Sequence, residues 1–312
     1  MQQTGENEPP ASTRLDSRTG ITWVWMPSGT FEQGCVPGDS ECDSDEKPAI
    51  AKTVRGFWLA KTETTVKQFE ACGAQGKCNS ELRAQDVAMK TCNWKNGRST
   101  HPMNCLTWSE AKAYCEWAGG RLPSATEWEY AARGPRVLLF AQHNSVSETA
   151  QTDGNALSIR DSGLTAEVLT GGARGADTKG SRTPVSGSGT RFPWGDSAPD
   201  GTRANFCDTN CPNALAPEVL QVWKDNKWIA DAVDDGFADT SPVGSFPAGE
   251  TKWGFVDMAG NVWEMTATDY DANKKEVRGG SWLNSVSALR VSRRGADLPT
   301  VRSAYLGFRC AQ

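Results

Sequence analysis

Ten cysteines constrain this chain more than any other feature, at positions 35, 42, 72, 78, 92, 105, 115, 207, 211 and 310. Their number is even, and none form a C-x-x-C pair. A zinc site usually draws on two closely spaced pairs, so the spacing points instead to disulfides made in an oxidising compartment. Cys35 and Cys42 bracket a Pro-Gly-Asp-Ser turn short enough for a local bridge. Cys72 and Cys78 are separated by a Gly-containing turn, Cys92 and Cys105 flank an Asn-Gly loop, and Cys207 and Cys211 are near enough to staple a turn. With 31 glycines and 16 prolines in 312 residues, a loop-rich fold of short elements is expected. The net charge of -5 gives no reason to expect nucleic acid or an anionic membrane as partner. No run of about 18 apolar residues is present to span a bilayer. Because Met1–Gly20 is polar, the disulfides imply an exported protein whose signal has been removed. It would sit in the periplasm, or at the cell surface or outer membrane as a lipoprotein anchored upstream.

Along the chain, residues 1–19 read as a flexible tether and 20–312 as one domain. Ile21–Met26 alternates as a strand, and Val54–Leu59 as another. The acidic run Asp43, Asp45, Glu46 reads as a solvated loop. Three S/T-x-x-E/Q capping boxes, Thr65 with Gln68, Thr107 with Glu110 and Ser124 with Glu127, predict three helices. On the second, Trp108, Ala111, Tyr114, Cys115 and Ala118 share a face, which turns Cys115 into the core. Residues 135–190 form a Gly/Ser/Thr-rich insertion without period.

The order of motifs is specific: Lys61-Thr-Glu-Thr-Thr, His101-Pro-Met-Asn, Arg121-Leu-Pro-Ser-Ala-Thr-Glu-Trp-Glu-Tyr, Phe192-Pro-Trp-Gly, Asp257-Met-Ala-Gly-Asn-Val-Trp-Glu, Arg278-Gly-Gly-Ser-Trp and Gly307-Phe-Arg-Cys. Together they resemble the formylglycine-generating-enzyme (sulfatase-modifying factor) family. The resemblance implies an α+β, C-type-lectin-like fold: few helices, a small twisted antiparallel sheet and much loop. It further implies that Cys115 pairs with Cys310, leaving 35–42, 72–78, 92–105 and 207–211 as local bridges. The family's enzymes bind copper through two cysteines, at positions matching Asn284 and Leu289 here. Neither residue supplies a thiolate, the soft ligand and nucleophile that such chemistry needs. No catalytic residue is therefore assigned, and no redox cofactor is expected. An iron site needs several histidines, and the chain has only His101 and His143.

Structural calcium suits the sequence better. Asp257, Gly260, Val262 and Glu264 offer two carboxylates with carbonyls between them, a set suited to a hard cation. The resemblance assigns a cage to these four and a second to Asn205, Phe206, Asp235 and Phe237.

The terminal stretch has a peculiar composition. Lys, Glu, Gln, Met and Trp make up 61 of the 312 residues, yet none occurs between 283 and 306. One mechanism excludes these five together: mutagenesis of the adenines in AAC codons reaches only codons ending in C, which none of the five has. The stretch resembles the variable region of diversity-generating retroelement proteins, which share the lectin-like fold. Its constant positions would be Trp282, Arg290, Val291, Arg294, Pro299, Arg302 and Gly307–Arg309. Its ligand-binding positions would be Leu283, Asn284, Ser285, Ser287, Ala288, Arg293, Gly295, Ala296, Asp297, Leu298, Thr300, Val301, Ser303, Ala304 and Tyr305. This predicts a non-catalytic, surface-displayed protein, receptor- or adhesin-like, that binds a protein or glycan. The rival readings are an oxidoreductase with another metal centre, and an inactive relative that binds or regulates such an enzyme.

Overall fold

The computed structural model describes residues 12–79, 91–94, 96–134 and 189–312. All but two residues of the 135–190 insertion lie outside them, and so does His143.

The three capping boxes do what the sequence predicts. Thr65, Thr107 and Ser124 each accept the N–H of the residue three positions on, whose side chain returns to the cap amide. They start α1 (Val66–Ala74), α2 (Trp108–Trp117) and α3 (Ala125–Arg133). On α2, Ala111, Tyr114 and Cys115 are buried, while Trp108 is half-buried. Gly119 follows with φ +83°, a conformation that glycine adopts without a Cβ penalty.

Among the described residues the strands form three sheets. In the first, β2 (Thr22–Met26) lies between β1 (Thr13–Leu15) and β5 (Phe57–Ala60). β1 pairs Thr13 with Val24, so residues 13–15 of the segment read as a tether belong to this sheet, while 1–11 lie outside the described residues. The second sheet is the hairpin of β3 (Gly29–Gln33) and β4 (Ile50–Val54). Val54 and Leu59 therefore belong to different sheets, not to one strand. The break falls at Gly56, where an added Cβ would lie 2.6 Å from the Trp25 ring. The third sheet has the order β8-β7-β6-β9, with β6 (Trp263–Asp269), β7 (Lys275–Arg278), β8 (Gly295–Asp297) and β9 (Leu306–Gly307). Its β6–β9 pair is parallel, so the sheets are mixed rather than wholly antiparallel. A fourth helix, α4 (Pro217–Asp225), buries no residue.

The main core gathers Trp23, Trp25, Trp58, Phe69, Tyr114, Leu122 and Phe308 between α1, α2 and the first sheet. The chain's end closes it: Gln312 and Trp58 exchange amide–carbonyl bonds, and Arg121 and Ala311 do the same. All ten cysteines are paired as 35–42, 72–78, 92–105, 115–310 and 207–211. Cys115–Cys310 spans 195 residues and ties α2 to the segment that follows β9.

Loop-closure entropy ranks these bridges. Replacing Cys115 and Cys310 by serine is expected to cost about 5 kcal/mol, against about 2 kcal/mol for the Cys72–Cys78 pair. Denaturant midpoints of the two double variants measure the difference, and equal losses would contradict the ranking.

Candidate functional site

The terminal stretch is organised by arginines whose partners lie elsewhere in the chain. Arg290, fully buried, forms a two-pronged pair with Glu46 at 2.7 and 2.8 Å and also reaches Asp39. Arg294 donates to Glu276 at 2.8 Å. Arg302 grips both oxygens of Glu110, the capping residue of α2, at 2.6 and 2.8 Å. Arg309 does the same to Glu264, at 2.7 Å on each oxygen. Bidentate guanidinium–carboxylate contacts fix direction as well as distance. The sequence shows the arginines but not their partners. Glu46 read as part of a solvated loop, yet it is 2% exposed beneath Arg290.

Between these anchors the chain is more open. Ser287, Leu298 and Thr300 are exposed, and Leu298 at 46% is the largest apolar group presented. Leu283, Asn284, Ser285, Gly295, Ala296, Asp297, Val301 and Tyr305 are half-buried. Arg293 is half-buried and paired with Asp43. Three of the predicted ligand-binding positions are buried instead: Ala288, Ser303 and Ala304. Small side chains suit a surface loop and a tight interior equally, so composition alone could not separate them. Leu283 packs beside Trp282 and Ala304, and Tyr305 against the main core, so neither is a free contact residue.

The two positions that matched copper-binding cysteines have structural partners. Asn284 Oδ1 accepts from Trp263 Nε1 and Ser281 Oγ, both at 2.7 Å. Leu289 is fully buried against Phe192, Phe206 and Ala259. His101 lies 3.0 Å from Thr240 Oγ1, and burial together with Arg98 holds its pKa below the usual value.

The two candidate cation cages meet at Gly260, where a Cβ would lie 2.1 Å from the Asn205 carbonyl oxygen. In the first, Glu264 is already engaged by Arg309 and by Trp128 Nε1. The acids left over are Asp257 and Glu63, a residue the sequence did not single out. Burial raises the pKa of both, Asp257 to about 6, and each stands near further negative charge. Glu63 Oε1 is buried with no hydrogen-bond partner. In the second, Asn205 Oδ1 is likewise buried without a partner. Asp235 accepts the amides of Phe206 and Phe237, and Asp208 accepts that of Asp235. Burial pushes Asp235 up to about 7, with the facing Asp208 carboxylate adding to the shift. A buried, unpartnered amide oxygen and two facing carboxylates, carried on neighbouring loops, are oxygen donors of the kind a hard cation takes. Among the described residues, no group of three or more His, Cys, Asp or Glu side chains is placed to hold a metal. Asp208 lay hidden in the sequence inside the Cys207–Cys211 bracket.

A profile of the "Sulfatase-modifying factor enzyme 1-like domain" matches residues 10–312. The chain belongs to that family. It is 28% identical to the inactive C-alpha-formylglycine-generating enzyme 2 of Bos taurus, over 67% of this chain and 50% of that one, so the match spans half of the relative's length. It is 25% identical to the formylglycine-generating enzyme of Streptomyces coelicolor, over 97% of this chain and 92% of that one. Among solved structures, PvdO from Pseudomonas aeruginosa superposes with a TM-score of 0.62 at 20% identity, covering 98% of this chain and 99% of that one. Treponema denticola variable protein 1 does so with 0.50 at 14%, covering 96% and 98%. These two likenesses show the fold, and it is the C-type-lectin-like fold that the motifs implied.

The arginine anchors and the open positions should answer differently to mutation. Glu46→Gln, which takes from buried Arg290 its bidentate carboxylate and leaves it Asp39 as its single hydrogen-bonded carboxylate, is expected to cost about 3 kcal/mol. Leu298→Ser should stay within about 0.5 kcal/mol of the parent. Urea denaturation of both variants checks the contrast, and similar losses would refute it.

Proposed function

We propose that this is a non-catalytic, exported ligand-binding protein whose loop 283–305 is a diversified binding face on a disulfide- and calcium-braced scaffold. The observation that carries the reading is the division of labour along the loop. Arg290, Arg294, Arg302 and Arg309, the arginines at predicted constant positions, are anchored by carboxylates outside it. Twelve of the fifteen predicted variable positions, all but Ala288, Ser303 and Ala304, are exposed or half-buried. A rigid frame of this kind lets side chains change without altering the course of the backbone, which limits the ordering cost of binding. One structural neighbour is itself called a variable protein, and the bovine relative is called inactive; both names accord with this reading. At the positions matching the enzymes' cysteines, Asn284 is a hydrogen-bond acceptor and Leu289 a core residue. The ligand is a protein or glycan met at the cell surface or in the periplasm.

The gene's neighbourhood tests the reading directly. We expect a near-duplicate of the 3′ coding segment, with adenines wherever the two copies differ, and a reverse-transcriptase gene nearby. Differences should fall on the open positions and spare the four arginines; absence of both the repeat and the transcriptase would overturn the reading. Copper or iron in the purified protein, with oxygen consumed on a cysteine peptide, would favour the oxidoreductase instead.

Calcium has its own test. Asn205, Asp208 and Asp235 would hold the ion, which would neutralise the two facing carboxylates and fix the loops that carry them. Calcium at a hundredfold excess over its dissociation constant should add about 2.7 kcal/mol to the unfolding free energy. Asp235→Asn should remove most of that gain. A melting temperature indifferent to calcium and to chelator would exclude the site.

A further inference from the structure

The ten cysteines differ in their surroundings. Nine are buried, none more than 8% exposed, and Cys35 alone is half-buried. It opens the Cys35–Cys42 bracket, in which Pro37, Gly38, Ser40 and Glu41 are exposed and Val36 is the one buried residue between the two cysteines. A thiol arriving from solvent therefore meets this bridge before the other four, since access is one of the factors that set the rate of disulfide exchange.

The same bracket fastens the terminal loop. Asp39, inside it, accepts from Arg290 Nη1 at 3.2 Å and lies 3.6 Å from Arg191 Nε. Arg191 also pairs with Glu41, and its carbonyl accepts the Val291 amide at 3.0 Å. Arg290 in turn donates through Nε to the Ser287 carbonyl at 3.0 Å. Two routes thus run from the bracket to residues 287–291. The bridge itself makes a third contact, because Arg290 Nη1 lies 3.4 Å from Cys42 Sγ. A guanidinium at that sulfur favours the charge it carries when it departs as a thiolate. The acids nearby, Asp39, Glu41, Asp43 and Glu46, oppose that charge, but each is already matched by Arg191, Arg290 or Arg293.

We propose that Cys35–Cys42 is a redox-sensitive latch on the start of loop 283–305, opened by a dithiol reductant. The reductant's thiolate attacks Cys35 Sγ, and the Cys35–Cys42 bond breaks with its electron pair leaving on Cys42 Sγ beside Arg290. The reductant's second thiol then displaces Cys35 from the mixed disulfide. Two electrons and two protons pass to the protein, which gains two thiols, and the reductant becomes a disulfide. With the bracket open, Asp39 and Glu41 lie on an unclosed segment and their hold on Arg290 and Arg191 loosens. Glu46 lies outside the bracket and keeps Arg290 paired, so the loop gains mobility without the domain unfolding. The far end of the loop, held by Arg302 and Glu110, is not involved. The latch acts on the order of the loop whether or not the loop is diversified.

Timed reduction of the whole native protein by dithiothreitol, trapped with iodoacetamide and mapped by peptide mass spectrometry, tests the first half. Cys35 and Cys42 should be labelled together, about tenfold faster than any other pair. Hydrogen exchange tests the second half without reductant. In a Cys35→Ser/Cys42→Ser variant, amides of 286–294 should exchange about tenfold faster while those of 302–308 are unchanged. A Cys72→Ser/Cys78→Ser variant, which opens a bracket of similar length, should leave both segments as in the parent. Faster labelling of another pair, or exchange over 286–294 no faster than in the Cys72→Ser/Cys78→Ser variant, would overturn the proposal.

Discussion

A guanidinium carried out of water must take a carboxylate with it, and the terminal third of this protein is built on that requirement. Arg290 and Glu46 are both buried and lie 244 positions apart in sequence. Arg309 and Glu264 close the parallel β6–β9 pair, and Arg302 with Glu110 ties the loop to the first turn of α2. The Arg290–Glu46 and Arg309–Glu264 pairs are buried, so losing either carboxylate is costly, while Arg302 and Glu110 are half-buried and hold the loop by geometry more than by burial. The loop between them needs no regular secondary structure to have a defined path. Its path is the set of points at which arginines meet acids held by other elements.

What could be read in advance follows from the range of the interactions. Capping boxes act over three residues, so Thr65, Thr107 and Ser124 announced their helices. Four of the disulfides close over thirteen residues or fewer and were visible as brackets. The fifth entered through the motifs, since nothing local in Cys115 names Cys310. Long-range pairing left no local trace: Glu46 and its acidic neighbours look like any solvated turn until Arg290 arrives. Gly56 shows the same limit. Its run of β-formers is continuous in sequence, but the Trp25 ring fills the space a side chain would need, and the strand divides there between two sheets.

The acids around Asn205 and Asp257 carry a different lesson. Carboxylates buried together oppose folding unless a proton or a cation comes between them. Glu63, Asp257, Asp208 and Asp235 accept that situation in adjoining loops, joined at the close contact of Gly260 with Asn205. The loops that carry Asn284 and Leu289 pack directly on this region: the Cys207 amide bonds the Asn284 carbonyl, and Leu289 rests on Phe206. The acids therefore lie directly behind the proposed binding face, one backbone hydrogen bond and one side-chain contact away.

The grip on the terminal loop has a chemical bias. Trp223 Nε1 donates to the Leu283 carbonyl, Cys105 N to that of Ser303, Asn104 Nδ2 to that of Ala304 and Trp263 N to that of Tyr305. In each case the framework gives the proton and the loop gives the oxygen, the one backbone group that every amino acid has. Proline, which lacks an amide hydrogen, loses nothing in such a bond. A strand held by its N–H groups would have to exclude it. Held by its oxygens, this stretch keeps these attachments when the residue changes, proline included, while burial at Ser303 and Ala304 keeps the choice there to small side chains.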